Sequence, residues 1–286
     1  MARLRESDWL LLLGVLVSQF SVFLCALRLN CMIAAWGRTM PLLPVYRIHL
    51  KSLFYFVFVP FSIGADVAKL AMLTGVLERK KMQAAWIVVS DRLVGFISFL
   101  SLSFLGFIPT SKVLVRSAGI ERGYLLVVVG IILFAVLLFL VPGRRRLGLD
   151  SKVKAFQETL HRSLPWTLKA LALSILMQLG MCTAVYCAAL SFSIQISWVH
   201  TVFVISSSML FQLIPVSVVG LGATELAAVG LFMAVGAGRM DAVLLVSTAY
   251  SYKLLSALLG GLLEYWEIWR GKNGLSPELK GKAANF

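Results

Sequence analysis

Apolar residues fall in long unbroken blocks separated by short polar connections. The blocks run from Trp9 to Leu27, Leu53 to Gly64, Met82 to Ile108, Tyr124 to Val141, Trp166 to Leu190, Trp198 to Ile214, Thr224 to Val235 and Ala242 to Leu263. A membrane-crossing helix needs about 20 apolar residues, and most of these blocks approach or exceed that length. The pattern predicts an all-α polytopic membrane protein of about eight hydrophobic segments. The first block lacks a small-residue cleavage site, so it reads as a retained crossing and not as a signal peptide. Arg28 to Lys51, with Arg38, Pro41, Pro44 and Arg47, reads as an interfacial amphipathic connection. Gly143 to Arg162 is the longest polar connection and divides the chain in two.

Composition agrees with the pattern and narrows it. The 286 residues are 59% hydrophobic and 14% charged, with a mean hydropathy of +0.89. A soluble globular domain is excluded. Residues 1–270 are expected to form a single integral membrane domain, with halves at 9–141 and 166–264, followed by a basic flexible tail at 271–286. The formal charge of +14 sits mostly in the connections, which makes anionic membrane lipid the expected partner and nucleic acid an unnecessary one. With eight crossings and a cytoplasmic N-terminus, Lys and Arg divide 16 to 8 in favour of the cytoplasmic side. The expected location is therefore a prokaryotic plasma membrane with both termini cytoplasmic. All seven Trp fall at or near segment ends or in connections, as an aromatic belt requires.

Candidate chemistry begins with two interruptions. Pro60, Ser62, Gly64 and Asp66 follow one apolar run, and Pro215, Ser217, Gly220, Gly222 and Glu225 follow another. Each puts Pro-x-Ser before Gly and then a carboxylate at the start of the next helix, which reads as a degenerate internal repeat. Pro and Gly release backbone groups from helical pairing, and a helix N-terminus offers N–H donors to an anion. The plainer reading is a Pro stop followed by a carboxylate that favours the new N-terminus. In the eight-crossing plan both breaks end inward-running segments, so the repeat is expected to be parallel unless a break re-enters.

Ionisable residues within apolar segments supply the second signal. Asp91 and Arg92 lie in WIVVSDRLVGFISFL, and Lys253 is central in AVLLVSTAYSYKLLSALLGGLL, preceded by Tyr252. A central Lys, Arg or Asp costs about 2.5 to 3.5 kcal/mol to insert, so these side chains are expected to face a protein interior or a wet cavity. Asp66 and Glu225 are the candidate counter-charges of Arg92 and Lys253. Asp91 and Arg92 also admit a bland reading as a structural ion pair near the cytoplasmic surface. The four Cys read as packing residues, the three His are isolated, and no Walker A motif occurs, so neither metal nor cofactor is expected.

These residues resemble the flippase-like integral membrane family that includes the transmembrane domain of lysylphosphatidylglycerol synthases. The resemblance spans about residue 10 to 265. Pro60, Gly64 and Asp66 resemble its first break, Asp91 and Arg92 the Asp-Arg of its following helix, Pro215, Gly220, Gly222 and Glu225 its second break, and Tyr252 with Lys253 the basic position of its last helix. Phe61 and Ala65 stand where the family favours Gly, and Thr224 replaces the Arg before Glu225. The resemblance implies movement of an amphiphilic lipid or lipid-linked polar group. The expected function is a flippase or transporter for an anionic phospholipid or polyprenyl-linked lipid, with transport favoured over catalysis. The alternatives are a membrane enzyme or enzyme subunit that uses Asp66, Asp91 and Glu225 as acids and bases on a lipid headgroup, and an assembly scaffold for a separately encoded lipid-modifying enzyme.

Overall fold

A computed structural model describes residues 8–58, 64–77, 80–114, 163–213, 217–218 and 221–270. Eight α-helices are present among them: α1 (Asp8–Ala35), α2 (Leu42–Phe58), α3 (Gly64–Val76), α4 (Lys81–Leu114), α5 (Leu164–Ser191), α6 (Trp198–Leu210), α7 (Ala223–Ala234) and α8 (Arg239–Trp269). A single 3-10 turn, Phe211–Leu213, extends α6. A two-residue antiparallel ladder, Ser217–Val218 against Leu221–Gly222, then precedes α7. Helices α1, α4, α5 and α8 are each long and apolar enough to cross a bilayer. The apolar block from Tyr124 to Val141, the Gly143 to Arg162 connection and the tail at 271–286 lie outside the described residues.

The stretch from Arg28 to Lys51 differs from the sequence expectation. α1 continues through Arg28 to Ala35, and α2 is already helical at Leu42. Arg28, Ile48, His49 and Leu50 are all buried, so the two ends of this stretch belong to the packed interior, while the turn from Gly37 to Leu43 between them carries the exposed residues. The helix continues because LNCMIAA after Arg28 remains predominantly apolar, while Arg28 itself finds partners inside the bundle. Lys69, three residues after Asp66, is buried too. The eight-crossing count of Lys and Arg does not carry over to this structure. Gly14 and Gln19 of α1 meet Tyr252 and Ser256 of α8, so these helices run parallel, and the start of α1 and the end of α8 lie on opposite faces, against the expectation of two cytoplasmic termini.

The order long, short, short, long occurs twice. α5 begins 156 residues after α1 and α6 begins 156 residues after α2. Their ends match in detail. α1 closes with Gly37 at φ 73° and an Arg38 N–H donated to the Ile33 carbonyl at 3.2 Å. α5 closes with Ser193 at φ 57° and an Ile194 N–H donated to the Ala189 carbonyl at 2.9 Å. Both are left-handed C-caps that satisfy terminal carbonyls, although only the first has the glycine that adopts this conformation freely.

Packing repeats with the same exchange of halves. α1 lies along α5 in the most extensive contact, while α2 packs on α8 and α6 on α4. α1 and α5 are antiparallel: Gly14 approaches Ala184, Gly180 approaches Ser21, and Arg28 meets Ser174. A two-fold rotation that carries one membrane-crossing helix onto an antiparallel equivalent must lie perpendicular to both. Its axis therefore runs in the membrane plane, and the repeat is inverted and not parallel.

Short helices explain the reversal. Trp36, just beyond the end of α1, stacks on Trp86 near the start of α4 with ring centroids 6.5 Å apart, and the Gln83 amide donates to the Trp36 carbonyl at 2.9 Å. α4 thus begins on the side where α1 ends. α3 has 13 residues and spans about 20 Å, well short of the roughly 30 Å hydrocarbon core. α2 and α3 therefore enter and return on one side. In the second half Ile194 after α5, Val235 after α7 and Ala242 in α8 share one apolar cluster, which places the end of α5 beside the start of α8 in the same way.

Glycines close the exchanged contacts. A Cβ added at Gly106 of α4 would sit 2.9 Å from the Phe203 Cα of α6, and one at Gly260 of α8 would collide with the Leu50 carbonyl of α2. Gly230 of α7 has open space around that position. Gly106→Ala and Gly260→Ala are each expected to cost about 1–3 kcal/mol through overpacking. Gly230→Ala should be neutral or stabilise by up to about 1 kcal/mol through helix propensity. Thermal unfolding in detergent checks all three, and equal melting of the Gly260 and Gly230 variants would contradict the α2–α8 contact.

Candidate functional site

The end of α2, the start of α3 and the middle of α8 meet in a small apolar cluster formed by Phe56, Val57, Ala65 and Ala257, with Leu254 against it. Charged side chains surround this junction. Asp66 follows Ala65 in the first turn of α3, where the positive end of the helix dipole favours a carboxylate. Its Oδ1 accepts from the Arg92 Nε of α4 at 2.8 Å. The pair is partly open, with side-chain exposures of 41% for Arg92 and 27% for Asp66, so it is reachable by a ligand. Gly64 is buried at the first position of α3.

Lys253 approaches from α8 with its Nζ 3.9 Å from the centroid of the Phe56 ring. A desolvated cation over an aromatic face gains about 2 kcal/mol, less than an ion pair would supply at that depth. Among the described residues no carboxylate lies within ion-pair distance of Lys253, and the charges that act on it are those of Glu225 and Arg92. Glu225 is engaged elsewhere. It is the third residue of α7, and its Oε2 accepts from the Gly222 backbone N–H at 2.8 Å. That bond satisfies a free donor at the helix start, as in a capping box. The Asp66 to Arg92 pairing expected from sequence is formed; the direct Glu225 to Lys253 pairing is not.

Asp91 belongs to a different group. Successive helical residues point about 100° apart, so Asp91 and Arg92 lie on different faces of α4 and take different partners. Asp91 is 1% exposed. Its Oδ1 accepts from the Arg28 Nε of α1 at 2.8 Å, and its Oδ2 from the Lys69 Nζ of α3 at 3.1 Å. Arg28 Nη1 also donates to the Ser174 hydroxyl of α5 at 3.0 Å, and Ser174 is joined to Ser98 of α4 at 2.8 Å. Gly95, one turn after Asp91, leaves room for this guanidinium: a Cβ there would lie 3.1 Å from Nη1. One carboxylate thereby fastens α1, α3 and α4 together. The surface-pair reading of Asp91 with Arg92 is replaced by this deep three-helix arrangement.

Tyr252 points away from Lys253. It is 5% exposed, its hydroxyl approaches Gly14 of α1, and that hydroxyl has no hydrogen-bond partner. Its carbonyl accepts from Ser256, whose hydroxyl also donates to Gln19 of α1 at 3.0 Å. Pro60, Ser62, Pro215 and Gly220 lie outside the described residues. Ser217 pairs with Gly222 in the short ladder, which brings the second break to the start of α7.

Three participants were not singled out from sequence: Arg28, Lys69 and His49. His49 of α2 is 6% exposed, its Nδ1 has no partner, and the charges acting on it are Lys69, Asp91, Arg28 and Arg92. The available signal for Arg28 was the apolar stretch that continues beyond it. For Lys69 it was the spacing of three from Asp66, which puts both on neighbouring positions of α3.

No curated protein and no solved structure matches the chain. A family-level comparison matches residues 1–260 to the lysylphosphatidylglycerol synthase TM region. Four long apolar helices, two inward-dipping helix pairs and charges held within the bundle agree with that match: the chain belongs to this family and is an integral membrane protein related to lipid modification or transport.

Proposed function

We infer that the protein carries the polar headgroup of an anionic lipid, phospholipid or polyprenyl-linked, across the bilayer. The observation that carries this reading is Lys253, a cation near the middle of a membrane-crossing helix. It rests on Phe56 without an ion pair among the described residues, at the junction of an inward-dipping helix pair. Substrate groups commonly bind near the bilayer midplane between inverted repeats, where short helices end. The headgroup sits between Lys253 and the Asp66–Arg92 pair, while the hydrocarbon tail stays in the bilayer against the exposed apolar sides of α4 and α8. The excess of Lys and Arg in the connections supports placement in a membrane with anionic lipid, and a separately encoded lipid-modifying enzyme is a natural supplier or recipient of the cargo.

The carboxylates favour binding over acid–base chemistry. Asp66 is paired with Arg92, Glu225 with the Gly222 N–H, and Asp91 with two cations. The test is purified protein reconstituted alone into vesicles that carry labelled lipid. Transbilayer exchange of at least one anionic lipid class above protein-free vesicles is expected. Absence of exchange across a broad anionic panel, with the protein verified as folded, would remove autonomous transport.

A further inference from the structure

Helix directions separate the two membrane faces of the molecule. α8 runs parallel to α1, while α5 runs against α1 with Gly180 on Ser21, and α4 starts where α1 ends with Trp86 on Trp36. The first face therefore carries the ends of α1 and α8 and the starts of α2, α4 and α5. The second carries the start of α1, the ends of α4 and α5, and the starts of α6 and α8. The α2–α3 pair dips in from the first face and the α6–α7 pair from the second.

Cations divide unevenly between these faces. Outside the interior group of Arg28, Lys69, Arg92 and Lys253, the first face holds Arg38, Arg47, Lys80, Lys81, Lys169 and Arg270 among the described residues, and the second holds Lys112 and Arg239. Lys51 also lies toward the first face, where Glu264 and Glu267 pair with it. Lys80, Lys81, Lys169 and Arg270 are exposed. Two of these are seated on tryptophans: the Lys169 Nζ lies 5.4 Å from the Trp166 ring centroid, and the Arg270 guanidinium 3.8 Å from that of Trp266. Trp favours the headgroup layer, so these rings hold their cations at the depth where lipid headgroups begin.

We propose that this basic, tryptophan-backed rim is the contact surface for the anionic lipid of the cytoplasmic leaflet, so that α1 starts outside the cell, α8 ends inside it, and the α2–α3 dip opens to the cytoplasm. Retention of Lys and Arg on the cytoplasmic side and the negative surface potential of that leaflet act in the same direction. The assignment holds whether or not the protein moves lipid. Arg28 lies seven residues before the end of α1 and Asp91 ten residues after the start of α4, so the buried charge group sits about 10–15 Å inward of the rim. The embedded charges of the first half are then approached from the cytoplasmic leaflet, and the α6–α7 dip is approached from outside.

Single added cysteines in the full chain test the orientation. Lys81→Cys and Arg239→Cys place one on each face at an exposed position. Intact bacterial cells are treated with a membrane-impermeant maleimide before and after permeabilisation, and the unsubstituted chain gives the background of its four native cysteines, three of them buried. Arg239→Cys is expected to label roughly tenfold faster than Lys81→Cys in intact cells, with the difference lost on permeabilisation. The reverse order would put the rim outside, and equal labelling in intact cells would mean that the rim fixes no orientation; either result overturns the proposal. In cells depleted of anionic phospholipid the difference should shrink by about threefold or more. A difference that persists unchanged there would assign the rim to another partner, such as an acidic soluble protein, and overturn the lipid contact.

Discussion

Asp91→Asn should lower the stability of the folded protein by about 3–5 kcal/mol, the usual range when one member of a buried ion pair is removed. The variant keeps the side-chain shape and loses the charge that Arg28 and Lys69 share at 2.8 and 3.1 Å. Both cations would then remain in a nearly water-free interior, with side-chain exposures of 9% and 6%. Asp66→Asn is the internal comparison. Its partner Arg92 is 41% exposed and solvated, so a loss of no more than about 1 kcal/mol is expected. A triple variant, Arg28→Met, Lys69→Met and Asp91→Leu, should recover much of the loss, because a buried charge group can be replaced by apolar side chains that fill its volume. Tryptophan fluorescence during thermal unfolding in detergent reads all three. Equal melting of the Asp91 and Asp66 variants would show that water reaches the Arg28 and Lys69 cations and carries their charge.

Lys253→Met should leave insertion and helical content intact and lower lipid exchange at least tenfold. Met preserves most of the apolar stem that packs beside Phe56 and removes only the ammonium. The α2–α8 contact made by Gly260 and Leu50 lies nearly two turns away, so the helix keeps its seat. Lys253→Arg should retain more activity than Met, but less than the wild type where the compact ammonium fits the ring and headgroup together. Exchange in vesicles at matched protein density gives the answer. Full activity of the Met variant would remove Lys253 from the mechanism. Because Glu225 is held by the Gly222 N–H, its neutralisation is not expected to rescue the Met variant.

Legibility from sequence followed the physical range of each interaction. Apolar block length was enough to identify a helical membrane protein, since backbone groups in lipid leave few other solutions. The Asp66 to Arg92 pair was legible because Asp66 sits at a helix start after a break, where a carboxylate is favoured, and Arg92 is a cation inside an apolar segment that needs a counter-charge. Arg28 and Lys69 were not, because their partner is 63 residues from one and 22 from the other, and a charge near an apolar boundary reads equally well as a loop charge. Asp91 was recognised as costly but given its chain neighbour as partner, although a helix turns adjacent side chains apart. The direction of the repeat failed for a related reason: the blocks that become α2, α6 and α7 are apolar enough to resemble crossings, and it takes long-range contacts such as Trp36 on Trp86 to show that the chain has turned back.

An axis in the membrane plane makes the helical framework look alike from either face of the bilayer. Whatever distinguishes one face from the other must therefore come from residues that break the correspondence. Arg28 has Ala184 as its counterpart and His49 has Ile205, by the 156-residue spacing of their helices. The part of α8 that corresponds to Asp91 and Arg92, around Leu245 to Ala249, carries no charge at all. The first half thus holds most of the embedded electrostatics, and a transmembrane voltage acts on the two halves unequally. Vectorial behaviour in this molecule is a property of a handful of side chains set on a framework that has no preferred direction of its own.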